Sequence, residues 1–189
     1  MGGFSTPYFQ SKFDSQHPLH FFTLPNHMVR AIDPTSKAEV ELVAARMRET
    51  LVEVLGKGKG SSMYAMDWLV QRVLFHLDPA KCTGQVYVCE NHDGRIVGHT
   101  MVRIEETAEG RKFGLFSTTY VERESRNQAV ASRLLEQGER WMSEHGLNEA
   151  ATFTDDANTK LIRLYRKHGY KIVEAFKNER MIKISKALT

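Results

Sequence analysis

The sequence predicts a mixed α/β fold in one domain, and three observations carry that prediction. Runs with apolar residues at helical spacing alternate with β-branched and aromatic runs, in the order β-α-α-β-β-β-α-β-α-β-β. The length of 189 residues suits a single domain. Hydrophobic residues make up 41% and charged residues 26%, which is apolar enough for a core and too apolar for a disordered chain. A chain of this size buries roughly 70% of its unfolded surface on folding, so no metal or disulfide staple is required.

Residues 1–26 show no period; Phe4, Tyr8, Phe9, Phe13, Phe21 and Phe22 are scattered among Pro, Ser, Gln and His. An aromatic-rich irregular arm of this kind must be covered. Its own domain would cover it, or a second subunit would, making a homodimer. The domain proper is placed at 27–189. Met28–Ile32 reads as a short strand ended by Asp33-Pro34, and Ser36 with Glu39 forms a capping box. Val40, Val43, Ala44, Met47 and Leu51 then repeat at helical spacing. Gly56-Lys57-Gly58-Lys59-Gly60 breaks that helix and reads as a mobile connection rather than a nucleotide-binding loop, since no strand precedes it. A second helix carries Met66, Leu69, Val70, Val73, Leu74 and Leu77 and stops at Asp78-Pro79.

Gln85–Glu90 and Arg95–Ile104 are β-rich runs joined by the hairpin residues Asn91-His92-Asp93-Gly94, and Lys112–Val121 is the next strand. Helix Asn127–His145 follows, with Gly146 as its terminating glycine. Ala150–Thr154 is a short strand and Asn158–His168 a short helix ended by Gly169. Tyr170–Phe176 and Arg180–Ser185 close the chain as a strand pair.

Several function classes are excluded early. No apolar run reaches the ~18 residues of a membrane span, and the N-terminus lacks a signal-peptide pattern. Cys82 and Cys89 are too few for a disulfide framework and fit a reducing, cytoplasmic setting. The net charge of +3 comes from interspersed signs with no basic stripe, which argues against nucleic acid. His17 and His20 have ligand spacing but no third partner nearby, so no metal is expected. Met1–Thr6 matches the short myristoylation pattern and is read as a chance match.

The chemistry lies in two stretches. In the first, Thr119, Tyr120 and Val121 end a strand, and Arg126, Asn127, Gln128, Ala129, Val130, Ala131 and Ser132 lead into a helix. A helix start with small residues presents unpaired N–H groups and a partial positive charge, to which Arg126 adds a permanent cation. The second stretch, Asn158 to Tyr170, carries Leu164-Tyr165 and Gly169-Tyr170. Residues 161, 164, 165 and 168 share one helical face, so the Tyr165 ring points where the helix packs.

Together, Arg126-x-x-Ala129-x-Ala131 and Asn158…Leu164-Tyr165…Gly169-Tyr170 resemble the signatures of the GNAT superfamily of acyl-CoA-dependent N-acetyltransferases. The resemblance runs from Met28 to Ser185. It implies a mixed, mostly antiparallel sheet flanked by helices, with acetyl-CoA as donor and an amine, small or on a protein, as acceptor. It also implies that Thr119–Val121 offer backbone groups to the pantetheine arm and thioester, and that Arg126–Ala131 with Ser132 form the pyrophosphate loop. Asn158 would contact the cofactor, and Tyr165 would act as general acid near the sulfur. Ala129 replaces the first glycine of the family loop; a helical φ within the first turn is expected there, which a methyl group tolerates. The strand Lys112–Val121 holds no carboxylate to deprotonate the amine, which leaves Glu90, His99 and Glu105 as candidates from neighbouring strands. A non-catalytic acyl-CoA-binding module is the rival reading.

Overall fold

The computed structural model describes residues 27–176 and 178–189. The aromatic arm, the His17/His20 pair and the Met1–Thr6 pattern lie outside the described residues. Strands β1 (Met28–Ala31), β2 (Gly84–Glu90), β3 (Ile96–Glu106), β4 (Lys112–Val121), β5 (Glu149–Asp155), β6 (Lys171–Phe176) and β7 (Met181–Ala187) form one sheet in the order β1-β2-β3-β4-β5-β7-β6. The β4–β5 pair is parallel and all the others are antiparallel. This is the mixed, mostly antiparallel sheet that the family resemblance implies.

Helices cover both faces. Helices α1 (Lys37–Leu55) and α3 (Met66–Leu77) cover one, and α4 (Val130–Glu144) and α5 (Thr159–Lys167) the other. Successive side chains of a strand point to opposite faces, and β2 shows it. Val86 and Val88 pack with Val43, Leu69 and Val73 under α1 and α3, whereas Tyr87 and Cys89 pack with Leu134, Leu135 and Trp141 of α4. Each such buried aliphatic side chain contributes ~1.5–3 kcal/mol relative to exposure. Gly138 lets α4 lie close on the sheet, because a Cβ there would stand 2.3 Å from Cε1 of Phe116.

Helix ends follow local chemistry, with two corrections. Gly146 (φ +71) and Gly169 (φ +86) end α4 and α5. In each case the residue after the glycine, Leu147 or Tyr170, donates its N–H back to the carbonyl of Met142 or Tyr165 at 3.1 Å, as a left-handed terminating residue allows. Ser36 caps α1 by accepting from the Glu39 N–H at 3.3 Å. The reciprocal half of the expected capping box is absent: the Glu39 carboxylate takes the Asp33 N–H and the Arg30 guanidinium instead. The segment expected as a mobile connection is also different. Gly56 (φ +81) ends α1, but Lys57–Ser62 forms a short helix, α2. It can lie against α1 because Gly60 has no side chain; a Cβ there would fall 2.4 Å from the Leu51 carbonyl.

Candidate active site

The feature that organises the site is a fork in the sheet. β4 and β5 pair only at Gly114–Ala150, Leu115–Ala151 and Phe116–Thr152. Beyond these residues the strands part, and β4 continues with β3 as its neighbour on one side only. The parting begins at a bulge. Met101 faces Thr118 and Val102 faces Phe116, so Ser117 is the extra residue on β4. Thr119, Tyr120 and Val121 lie on the free length of β4 past the bulge.

The chain leaves β4 through the short 3-10 turn Arg123–Ser125, and α4 opens at Val130, later than the expected start at Asn127. The first helical bond is Arg133 N–H to Ala129 C=O at 3.0 Å, so the N–H groups of Val130, Ala131 and Ser132 have no acceptor within the helix. Among the described residues no side chain caps this end, and its first turn holds no acidic residue. Asn127, Gln128 and Ala129 are exposed, while Val130 is anchored in the core. The result is an open, electropositive helix start suited to an anion.

Ala129 departs from expectation. Its φ of +62° and ψ of 5° are left-handed, not helical. Asn127 shares a φ of +62°, which asparagine tolerates; for alanine the conformation costs ~1–2 kcal/mol. The methyl group of Ala129 sits where glycine would be unstrained. Ala129→Gly is therefore expected to stabilise the fold by ~0.5–1 kcal/mol, after allowing for the greater freedom of glycine when unfolded. Urea unfolding at neutral pH checks this, and a midpoint that falls would contradict it.

The charges around the loop are arranged across three helical elements. Arg126 donates its Nε–H to the Val121 carbonyl at 3.0 Å and grips the Glu53 carboxylate of α1 with both terminal nitrogens, at 2.9 and 2.7 Å. Lys160, in the first turn of α5, reaches the same carboxylate at 2.6 Å. These cations hold the Glu53 carboxyl at about 2, mainly through the Arg126 bond. A depressed carboxyl contributes stability that is complete above its ordinary value and lost as pH falls through about 2. Ser132 joins α4 to α5 through a contact of 2.9 Å with Nε2 of His168.

Tyr165 is 1% exposed and packs edge-on against Phe116 and Tyr170, with centroids 5.8 and 4.8 Å away. Burial pushes its phenol up, and hydrogen bonds with the side chains of Thr119 and Thr152 oppose that shift. One threonine belongs to β4 and the other to β5, so the hydroxyl sits at the base of the fork. Asn158 caps α5, accepting from the Leu161 N–H at 3.3 Å and donating to Thr154 at 3.0 Å.

On the opposite face the bulge opens into a cavity of about 370 Å³, bounded by α1, α3 and the diverging ends of β4 and β5. Its floor is a cluster that no sequence spacing announces. His76 Nδ1 lies 2.8 Å from the Arg72 carbonyl and carries the proton, leaving Nε2 to accept from the Ser117 hydroxyl at 2.9 Å. Arg103 donates to the same hydroxyl oxygen at 2.6 Å and pairs with Glu105. Burial, with the charges of Arg103 and Arg72, holds His76 down to about 4, so it is neutral near pH 7.

The expected bases are placed away from such a role. Glu90 is paired with Arg30 on β1. Glu105 is committed to Arg103. His99 is fully buried, held down to about 3 mainly by burial, and stacked on Tyr120. The Tyr120 hydroxyl donates to Glu49 of α1, a carboxylate at the α1 side of β4 that sequence reading missed. Its position in an exposed helical register gave no signal of a partner 71 residues away.

Residues 49–170 match the model of the acetyltransferase (GNAT) family. No curated protein matches the chain. Among solved structures, a putative acyl-CoA N-acyltransferase from Klebsiella pneumoniae is 20% identical, with a TM-score of 0.61 over 87% of this chain and 99% of that one. The PaiA N-acetyltransferase from Thermoplasma acidophilum, in complex with coenzyme A, is 15% identical, with a TM-score of 0.66 over 85% and 98% of the two chains. An aminoglycoside 6′-acetyltransferase type Ii is 17% identical, with a TM-score of 0.64 over 86% and 97%. At these identities the likeness is one of fold.

Proposed function

The chain belongs to the GNAT acetyltransferase family, and from that premise we propose that it transfers an acetyl group from acetyl-CoA to a primary amine by direct attack on the thioester. The observation that carries the reading is the uncapped start of α4, with no acidic residue in its first turn, beside the fork of β4 and β5, with the Tyr165 hydroxyl at the base of that fork.

Acetyl-CoA is a substrate here and supplies an acyl group on a thiol leaving group. The N–H groups of Val130, Ala131 and Ser132 hold its phosphates, and the Arg126 guanidinium turns to them from Glu53. Backbone groups of Thr119, Tyr120 and Val121 take up the amides of the pantetheine arm as a strand would. Backbone N–H donors at the fork polarise the carbonyl and stabilise the charge that develops on oxygen. Tyr165, which keeps its proton because burial disfavours the phenolate, donates a hydrogen bond toward the departing sulfur. The amine approaches from the cavity beside Ser117 and Thr118. Among the described residues no Asp or Glu lines the cavity, so the proton of an ammonium acceptor passes to solvent before attack.

Two linked measurements test this. Acetyl-CoA at ~100 times its dissociation constant adds about 2.7 kcal/mol of stability, a rise of roughly 5–10 °C for a domain of this size. Thiol release should then appear with members of an amine panel. A melting temperature unmoved by millimolar acetyl-CoA contradicts the reading. Binding without turnover on any amine supports the non-catalytic module instead.

A further inference from the structure

The acceptor cavity has a chemical bias that narrows its substrate. Its walls are Met47 and Leu51 of α1, Phe153 of β5 and the rings of Tyr64 and Trp68. Those two rings stack at 4.1 Å and 11° while remaining 38% and 45% exposed, an aromatic surface left open at the mouth. Among the described residues the charged members of the lining are cations, Arg72 and Arg103, with no carboxylate. They differ in commitment. Arg103 is engaged by Glu105 and Ser117. Arg72 is half-buried with its guanidinium over the Phe75 ring at 5.3 Å, and no carboxylate of the described residues forms an ion pair with it. Its proton affinity is lowered, by burial first and by the Arg103 charge second.

A half-buried guanidinium without an anion is an incomplete arrangement, because its planar fork matches a carboxylate with two parallel hydrogen bonds. A polyamine or amino sugar would bring further positive charge up to Arg72, while the neighbouring carboxylate, Glu105, is already bonded to Arg103. A free amine whose other end is anionic and whose body is apolar satisfies every wall of the cavity.

Resting on the acetyl-transfer reading above, we propose that the acceptor is a small amine that also carries a carboxylate and an apolar or aromatic body, a free amino acid being the simplest such compound, and that Arg72 is the residue that binds the carboxylate. The Tyr64–Trp68 surface covers the body, and the amine is directed to the bulge at Ser117–Thr118, where β4 leaves β5.

The test is a cycle of two acceptors and two proteins. Initial rates of thiol release from acetyl-CoA are measured for L-phenylalanine and L-phenylalaninamide, with spermidine as a polycationic control, on the full chain and on Arg72→Gln. The amide and the acid differ in amine basicity, and the ratio between proteins cancels that difference. A lost charge-assisted pair raises KM roughly 10–100-fold, and this penalty is expected for phenylalanine beyond whatever phenylalaninamide shows. Arg72→Lys, which keeps the cation, should recover part of the preference and carries the cycle should the glutamine variant unfold. Spermidine outperforming the acid, or both acceptors responding alike to Arg72→Gln, overturns the proposal while leaving acetyl transfer intact. With no turnover on any amine, calorimetric titration of L-phenylalanine into the CoA-loaded protein decides: no carboxylate-dependent binding overturns the proposal as well. Failure of acetyl-CoA to bind is the separate signature that the underlying reading is wrong.

Discussion

Ala131→Glu is expected to abolish acetyl-CoA binding in a protein that still folds. Ala131 occupies the first turn of α4 and is half-buried at its exposed start. A glutamate there would put negative charge against the phosphates. Two like charges ~4 Å apart cost about 4 kcal/mol at the effective dielectric of a protein surface, near a 10³-fold loss of affinity. The fold should tolerate the change, because an acidic residue in a helical first turn interacts favourably with the macrodipole. A thermal melt and an acetyl-CoA titration on one sample separate the two effects. Parental affinity in a folded variant would place the phosphates elsewhere.

Tyr165→Phe should lower kcat roughly 10²-fold while leaving acetyl-CoA affinity close to parental. General acid catalysis contributes ~10²–10⁴-fold, and the lower end is expected here. A free phenol titrates near ~10 and a thiol near ~8.5, so outright proton transfer to a free thiolate is uphill, and burial of Tyr165 steepens that gap. Its service is a hydrogen bond to sulfur as charge builds. Packing changes little on removal of one hydroxyl. Thr119 retains its contact with Thr100 at 2.9 Å and Thr152 its bond to the Phe116 carbonyl at 3.0 Å, so neither is orphaned. A stability loss of ~0.5–1.5 kcal/mol follows. Single-turnover rates, which isolate chemistry from product release, give the reading; unchanged chemistry in the folded variant would remove Tyr165 from the mechanism.

What the sequence discloses is whatever local periodicity and end chemistry control. Strand β4 runs over Lys112–Val121, as its aromatic and β-branched run predicts, and Gly146 and Gly169 end their helices because a left-handed residue is needed at each. The start of α4 is different. Asn127, Gln128 and Ala129 are all compatible with helix, yet Asn127 and Ala129 take positive φ and the helix opens only at Val130, which is seated in the core. Arg46 stands on the apolar face of α1 yet is buried, because it bonds the Ile96 carbonyl at 2.7 Å and pairs with Glu122. The Ser117–His76–Arg103 cluster draws on β4, α3 and β3, whose separation along the chain leaves no motif to read. Glu53 illustrates the same limit: its partners Arg126 and Lys160 lie 73 and 107 positions away. Tertiary proximity, and not spacing, assembles these groups.

The fork has one more consequence, in what it demands of heredity. Past Phe116, β4 turns toward β5 a row of peptide groups with no strand to meet them. Sheet edges are usually shielded because any extended amide chain can pair with them. Here the edge is internal, between two strands of one sheet. Recognition at such an edge is written in the main chain, which every residue except proline supplies in full. Substitutions along Ser117–Val121 can therefore accumulate without erasing it, which fits a fold shared with proteins only 15–20% identical to this chain. The specificity of the cavity beside it, built from side chains, has no such protection and is free to diverge.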